Sequence, residues 1–306
     1  MTDNDGLRVL GHEETRAALA DSAALAAAIS RALISIARGE DSTPPRIAAR
    51  SAHGLLGAMP GHVPGLGLAA KLIAIFPDPD HPGRSTHRGL VASFDEKTGQ
   101  PLAVLDAEPL TAIRTAATAT VAMRALARRD ARRITVVGTG TQATAQLELI
   151  AADPQFTVTL AGRDPERVRA LADCFGVRPS VSIEEAVREA DVVQCCTGAR
   201  EPVLRREWLA PGTHVSSVGG SSGRELDAAT IRDGALFVEW PGAATSAPPA
   251  GAYELQDVPV DRITLLGAVL AGEHPGRRGD EELTVFKSTG HAALDVAAAA
   301  VACALN

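Results

Sequence analysis

Hydrophobic residues follow two different spacings in the first third of the chain. Between Glu13 and Arg38 they recur every three or four positions, which predicts one amphipathic helix ended by Gly39. Short apolar runs follow, and each predicts a strand; the last two flank the turn 96–99 as a hairpin. The predicted strands cover residues 46–52, 55–60, 68–76, 89–95 and 101–106.

A different pattern begins at Arg132, after a predicted helix from Glu108 to Arg129. Short β-branched runs now alternate with helical stretches, and this alternation predicts an α/β fold with a doubly wound parallel sheet. The predicted strands cover residues 134–137, 157–162, 191–196, 213–219 and 235–240. A last helix follows residue 290, and a chain of 306 residues is long enough for two domains.

A glycine turn separates the first of these strands from an alanine-rich helix. Gly138 permits the sharp turn, Gly140 lets an anion approach the backbone, and Ala143 packs the helix on the strand. The N–H groups at the start of the helix then face a pyrophosphate, whose charge the helix dipole favours. The turn 138–143 therefore predicts a Rossmann dinucleotide site.

The end of the second strand bears on the choice between NAD and NADP. An acidic residue there would bind the ribose hydroxyls of NAD, but Gly162 and Arg163 stand in that place. A small residue followed by arginine favours the 2′-phosphate of NADP. The alternative interpretation is that Arg163 is a solvated loop residue and that Asp164 only caps the next helix. We predict NADP(H), with NAD(H) as the alternative.

The carboxyl ends of the parallel strands should form one ligand crevice, as they do in other doubly wound sheets. That rule brings together residues 138–140, Arg163, residues 197–198 and residues 219–221.

Composition narrows the possible partners and compartment. Aromatic residues make up only 3% of the chain, so the core must be built from Ala, Val, Leu and Ile. A net charge of −7 without a basic block argues against a nucleic acid partner. We find no signal peptide and no apolar stretch long enough to span a membrane. The four cysteines show neither metal spacing nor a disulfide framework, which indicates the cytoplasm; Cys195 and Cys196 are predicted as small core residues.

Two basic residues stand in unusually apolar surroundings. Lys71 lies in the middle of the predicted strand 68–76, where a buried lysine is costly unless it has an anionic partner. Arg114 is the only charged residue between Glu108 and Arg124 on a helix of small residues. Its position alone fits a partly buried anion site and a solvent-facing side chain equally well.

These motifs together resemble the ornithine cyclodeaminase/mu-crystallin family over nearly the whole chain. The most specific stretch is the run Leu-Thr-Ala-Ile-Arg-Thr-Ala-Ala at 110–117, followed by the glycine turn with its Gln and Ala. The matching stretches are 57–60, 70–72, 99–103, 110–117, 138–143, 219–220, 224–227 and 284–290.

The resemblance implies that a Rossmann domain is inserted into an α+β domain that binds substrate and forms a homodimer through its sheet. We therefore predict a substrate and dimerisation domain from residues 1–129 plus 291–306, and a dinucleotide-binding domain from residues 130–290. The resemblance also implies hydride exchange between a nicotinamide cofactor and a small anionic imino or amino acid. It implies no metal.

Family resemblance also assigns roles to individual residues. Arg46, Lys71 and Arg114 match the basic residues that hold the substrate carboxylate, and Lys71 and Arg114 are the predicted catalytic pair. His87 matches a further family position, although a packing histidine fits equally well. The predicted cofactor contacts are Thr115, Gly138, Thr139, Gly140, Thr141, Gln142, Ala143, Arg163, Thr197, Gly219, Ser288 and Gly290.

One position departs from the pattern of the cyclodeaminases. They carry an aspartate just after the glycines that end the strand, whereas this chain has Ser221 there, in a loop that is shorter than the family pattern. Ketimine reductases similar to mu-crystallin also have serine there, so we predict an NADPH-dependent reductase of a cyclic ketimine, with Ser221 in the substrate site. Glu225 and Asp227 are expected to cap the next helix rather than to replace the aspartate.

Three alternatives remain open at this point. They are an ornithine cyclodeaminase, an alanine or opine-type dehydrogenase, and a binding protein of the mu-crystallin kind that does not turn over a substrate.

Overall fold

The computed structural model describes residues 6–77, 85–220 and 223–304, and of residues 85–87 it describes the backbone only. The chain divides into two compact units, Met1–Arg114 with His291–Asn306, and Thr115–Gly290. One unit contains a mainly antiparallel sheet and the other a parallel sheet, which confirms the predicted α/β class with a Rossmann domain inserted into an α+β domain.

The first unit is built on a six-stranded sheet. Its strands lie in the order β1-β6-β5-β4-β3-β2, with β1 parallel to β6 and every other pair antiparallel. The strands are β1 Arg8–Leu10, β2 Ile47–Arg50, β3 Leu55–Val63, β4 Gly67–Pro77, β5 Ser85–Phe94 and β6 Pro101–Asp106. The helices of this unit are α1 His12–Ala18, α2 Ser22–Arg38, the start of α3 Ala107–Leu126, and α10 Ala292–Ala304.

The prediction of one helix from Glu13 to Arg38 was wrong. The chain turns between α1 and α2, because the Asp21 carboxylate accepts hydrogen bonds from the N–H groups of Ala23 and Ala24 and so starts a new helix. Helix α2 ends at Gly39, as predicted, in the left-handed conformation with φ of 66° that glycine adopts without strain. Strand β1 was not predicted, since three residues carry too little periodicity to identify it.

The two faces of this sheet differ. On one face, Met59, Lys71, Val91 and Leu105 form one buried row across β3 to β6. Helix α10 contacts these strands and packs against helix α2. The opposite face, here called the open face, carries apolar side chains that are exposed to solvent. They are Val9, Ile47, Leu56, Leu68, Phe76, Leu90 and Leu102.

The second unit contains an eight-stranded parallel sheet. The strand order is β13-β12-β14-β11-β10-β7-β8-β9. The strands after β7 are added first on one side of it, as β8 and β9, and then on the other side, from β10 onward, so the strand order reverses beside β7. The strands are β7 Arg133–Val137, β8 Thr157–Ala161, β9 Arg178–Ser180, β10 Val192–Cys195, β11 His214–Ser217, β12 Ala235–Val238, β13 Ile263–Leu265 and β14 Thr284–Lys287. Its helices, besides the rest of α3, are α4 Thr141–Ile150, α5 Pro165–Phe175, α6 Ile183–Arg188, α7 Ala228–Asp233, α8 Gly242–Thr245 and α9 Leu266–Leu270.

Buried cysteines belong to the core of this second unit. Cys195 and Cys196 pack among its apolar residues, and burial raises the pKa of both thiols, which makes them poor nucleophiles. Among the described residues, no single helix is long and apolar enough to cross a membrane; only α1 and α2 taken together, bent by 82°, reach the required length and composition.

Candidate active site

Two basic side chains and one carboxylate meet in the interior of the first unit. Lys71 projects from β4, Arg114 from α3 and Asp295 from α10, and their exposed fractions are only 4%, 4% and 1%. The Lys71 Nζ lies 2.9 Å from Asp295 Oδ2, and the Arg114 Nε donates to Asp295 Oδ1 at 3.0 Å. One carboxylate therefore bridges both cations, and each of its oxygens takes one of them.

This pairing changes the explanation of the two isolated basic residues. The resemblance implied that Lys71 and Arg114 hold a substrate carboxylate, whereas the structure gives both a partner within the chain, Asp295. Asp295 was missed because it stands in an alanine-rich tail that indicated only a packed helix.

The electrostatic surroundings of Lys71 tune its proton affinity. Burial lowers the pKa of Lys71, the Asp295 charge opposes this shift, and the Arg114 and Arg46 charges add to it. The pKa of Asp295 is also lowered: burial alone would raise it, but the charges of Lys71 and Arg114 outweigh burial. Lys71 is thus a lysine with reduced proton affinity beside a carboxylate that stays ionised.

Two further residues act on this cluster. Arg46 is exposed just before β2, close enough for its charge to influence Lys71 and His291. His291 is buried immediately before α10; burial lowers its pKa to about 4, the nearby Asp295 charge opposes the shift, and the Arg46 and Arg114 charges add to it. His291 is therefore neutral near pH 7.

In the second unit, the predicted glycine turn joins β7 to α4. Gly138 has φ of 127°, and a Cβ at this residue would lie 2.5 Å from the Cys196 carbonyl oxygen, so only glycine fits. Gly140 is the N-cap of α4 and has open space where a side chain would stand. Ala143 is fully buried against the sheet. A bent backbone, open space and a helix N-terminus together fit a pyrophosphate group.

The exit from β8 has little room for a side chain. A Cβ at Gly162 would lie 3.1 Å from Val168 Cγ2 and 3.3 Å from Thr139 Cγ2. Arg163 is exposed, and Arg167 donates from Nη2 to the Thr139 carbonyl oxygen at 3.3 Å. Asp164 caps α5, as the alternative interpretation of this segment expected, and Gly162 stands where an acidic residue would select NAD.

A buried carboxylate connects the loops after β10 and β11. Glu225 Oε1 accepts from the N–H and hydroxyl of Thr197 at 2.6 and 2.7 Å, and Oε2 accepts from the Ser217 hydroxyl and the Gly219 N–H at 2.6 and 3.0 Å. The expectation that Glu225 caps a helix was wrong, because its side chain is fully buried in this network. Asp227 does cap α7, through the Thr230 N–H.

A lysine and a second glutamate extend the network. Lys287 Nζ donates to the Ser217 hydroxyl at 2.8 Å and to the Gly219 carbonyl at 2.9 Å, and lies 3.3 Å from Glu254 Oε1. Glu254 Oε1 also accepts the Glu225 N–H at 2.7 Å. Carboxylates and one ammonium therefore hold both loops at the carboxyl ends of the strands.

A third glutamate fixes the segment after β14. Glu239 Oε1 accepts from the Ser288 hydroxyl at 3.2 Å and from the N–H groups of Thr289 and Gly290 at 2.6 Å each. Like Asp295 and Glu225, Glu239 was not predicted as part of a site; an acidic residue at the end of a buried strand was its only signal in the sequence.

The remaining predicted site residues are placed as follows. Thr115 is buried on α3, Thr141 and Gln142 open helix α4, and the backbone of His87 lies in β5. The side chain of His87 and the whole of Ser221 lie outside the described residues. Within those described residues, no three His, Cys, Asp or Glu side chains are grouped as a metal ion would require.

A doubly wound parallel sheet with a glycine turn at its reversal point defines a dinucleotide-binding fold. The family model of the ornithine cyclodeaminase/mu-crystallin family matches residues 9–303. The chain belongs to this family.

Three similar proteins illustrate its range. The ketimine reductase mu-crystallin of Mus musculus is 33% identical over 301 residues, which cover 95% of this chain and 94% of that protein. The Thermococcus litoralis Δ1-pyrroline-2-carboxylate reductase, solved with NADH and L-proline, is 26% identical with a TM-score of 0.83, covering 97% of this chain and 96% of the other. An archaeal alanine dehydrogenase dimer with bound NAD is 30% identical with a TM-score of 0.83, covering 97% and 95%.

The Glu225 network predicts an effect on dinucleotide binding. In Glu225→Gln, an amide NH2 replaces one carboxylate oxygen that now accepts two hydrogen bonds, and this NH2 cannot accept from the donors that it faces. The loops at Thr197 and Gly219 therefore lose their fixed spacing. We expect dinucleotide affinity to fall about tenfold, which corresponds to about 1.4 kcal/mol. Isothermal titration calorimetry with the dinucleotide measures this affinity. The exposed Glu201→Gln serves as the matched control, and equal affinities in the two variants would contradict the assigned role.

Proposed function

We propose that this protein is an NADPH-dependent imine reductase acting on a small cyclic ketimine that carries a carboxylate beside the C=N bond. Δ1-Pyrroline-2-carboxylate and Δ1-piperideine-2-carboxylate are the candidate substrates, and the products are the corresponding cyclic amino acids.

The observation that carries this proposal is the buried Lys71–Asp295–Arg114 cluster. Lys71, Arg114 and Asp295 together carry one positive charge inside the first unit, and one substrate carboxylate would bring this sum to zero. An arginine can bind a carboxylate with two parallel hydrogen bonds, and a lysine adds a point charge that can also move a proton. Arg46 contributes a third positive charge nearby.

Reduction of a C=N bond needs a hydride at carbon and a proton at nitrogen. A bound reduced nicotinamide supplies the hydride. Lys71 is the proposed proton donor, because its lowered pKa brings its proton affinity closer to that of the imine nitrogen. Arg114 and Arg46 would orient the carboxylate, so that positioning rather than covalent chemistry accounts for most of the catalysis.

The identity of the other carboxylates supports a reductase over a cyclodeaminase. A cyclodeaminase needs a carboxylate after the glycines that end β11, and this chain has Ser221 at that point. Glu225 is engaged by Thr197, Ser217 and Gly219, and Asp227 caps α7, so both nearby acids already have structural roles.

Substitution of the two buried cations tests the reaction. Lys71→Met and Arg114→Met should each lower kcat/KM for the ketimine by at least about 100-fold, because each removes a charge from the proposed carboxylate site. NADPH binding should change less than about twofold, since the predicted dinucleotide contacts lie in the second unit. Turnover is measured as loss of NADPH absorbance, and Arg50→Ala on exposed β2 is the control. Unchanged rates in both Met variants would refute the proposal.

The same assay separates the alternatives. A cyclodeaminase would convert ornithine to proline and ammonia with no net change in absorbance. An alanine or opine-type dehydrogenase would turn over keto acids and amines, and a binding protein would hold NADPH without consuming it.

We propose NADPH as the preferred cofactor because of the exit from β8. Gly162 leaves no side chain to repel a 2′-phosphate. Arg163 lies just before helix α5, and Arg167 lies in its first turn. The hydrogen bond from Arg167 to Thr139 places the second arginine beside the glycine turn.

Replacement of these arginines should alter cofactor choice. Arg163→Ala and Arg167→Ala should each raise KM for NADPH about tenfold, the effect expected for loss of a charged hydrogen bond to phosphate, and leave KM for NADH within about twofold. Steady-state kinetics with both cofactors measure this. Arg169→Ala, an exposed arginine on the same helix, is the control, and parallel changes for NADH and NADPH would argue against a 2′-phosphate site.

We also propose that a second copy of the chain covers the open face of the six-stranded sheet. That face carries Val9 and Ile47 at 73% and 68% exposure, with leucines between them on the central strands. An apolar sheet face of this extent is typical of an interface. The archaeal alanine dehydrogenase with the same fold is a dimer.

A charge on the open face should separate the copies. Leu90→Arg places a cation on central strand β5, where a second copy would bury it unpaired, so we expect a monomer by sedimentation velocity or light scattering. Val260→Arg, at an exposed apolar residue of the second unit, is the matched control and should leave the assembly unchanged. A Leu90→Arg variant that remains a dimer would place the interface elsewhere.

A further inference from the structure

Asp295 has contacts that suit a role beyond packing. Its two oxygens are divided between Lys71 and Arg114 at 2.9 and 3.0 Å, and 1% of the residue is exposed. The three residues come from β4, α3 and α10, segments far apart in the chain. A single side chain from the last helix therefore contacts both of the proposed substrate-binding cations.

The groups that face this carboxylate are mostly cationic or neutral. Lys71 comes from β4, Arg114 from α3, Arg46 from the segment before β2, and His291 from the start of α10 itself. In the row of side chains that contains Lys71 on the sheet, the other members are apolar: Met59, Val91 and Leu105. The apolar residues buried on α2 are Leu25, Ala28, Ile29, Ala32, Leu33 and Ile36. Among these described groups Asp295 is the one anion.

We propose that Asp295 is a positioning residue that holds Lys71 and Arg114 at a fixed spacing and keeps the lysine ammonium charged, so that the pair binds one carboxylate. This inference rests on the proposed substrate class, because it specifies how the same site recognises its acid group.

The physical reason is the cost of a buried ammonium. Without Asp295, Lys71 would lie in the interior beside two other positive charges, Arg114 and Arg46, and would lose its proton at lower pH. A neutral lysine neither attracts a carboxylate nor donates a proton. Removal of Asp295 therefore shifts the pH at which the site stops binding anions to a lower value.

Binding of an inert analogue tests this without turnover. Pyrrole-2-carboxylate has the ring and the acid group of the proposed substrate but lacks a reducible imine. Calorimetric titration of the full chain between pH 6 and 10 should show affinity falling as Lys71 deprotonates. In Asp295→Asn we expect this fall at least about one pH unit lower, and about tenfold weaker binding between the two midpoints.

Asp295→Glu provides the second variant, and it also carries the test if the Asn protein does not fold. It keeps the charge, so the midpoint should stay within about 0.3 pH units of the wild-type value. Its longer side chain displaces the two cations, so affinity should drop at least about fivefold. Wild-type affinity in the Glu variant would overturn the positioning role, and an unchanged midpoint in the Asn variant would overturn the charge role.

The two proposals fail in different ways. If no imine is reduced but the binding midpoint shifts as described, the assigned reaction is wrong and the role of Asp295 stands. If imines are reduced and neither Asp295 variant alters the pH profile or the affinity, Asp295 is only a packing residue. Asp21→Asn removes an exposed carboxylate but keeps a good helix cap, so it controls for the loss of one negative charge away from the site.

Discussion

The structure of the first unit depends on one constraint: a buried cation needs an anion within contact distance. Lys71 on β4 and Arg114 on α3 both point into the interior, and the carboxylate that pairs them comes from α10, near the end of the chain. This ion cluster therefore links a C-terminal helix to the N-terminal sheet after a whole domain has intervened. The alanines of α10 permit its close packing, and Asp295 pairs with Lys71 of the sheet.

The second unit satisfies the same constraint, but there the carboxylates are in excess. Lys287 is buried with Glu225 and Glu254, so carboxylates outnumber cations there, whereas cations outnumber carboxylates around Asp295. The surplus oxygens of the second unit accept backbone N–H groups of Thr197 and Gly219, as Glu239 accepts those of Thr289 and Gly290. These carboxylates shape loops at the ends of the strands, and their hydrogen bonds are already made within the protein.

Local pattern and long-range pairing account for what the sequence could and could not reveal. The central strands and the turn at Gly138 were predictable, because periodicity and glycine geometry are properties of neighbouring residues. Lys71 and Arg114 were conspicuous as single charges in apolar runs, but their partner lies 181 residues beyond Arg114, and only the topology brings it there. Glu225 was misassigned because it stands two residues before a true cap, Asp227, and a sequence pattern cannot distinguish a buried acid from a capping one.

The burial of Lys71 and Arg114 is poorly explained by stability alone. Well-packed apolar side chains in place of a buried ion pair are often equally stable or more stable, since two charges must leave water. A fold that needed only a closed interior would gain nothing from two cations held by one carboxylate. Fixed cations that retain their charge in a low-dielectric interior do offer strong, oriented attraction for a small anion. We infer that the cluster is retained for the carboxylate of the proposed substrate rather than for the stability of the fold.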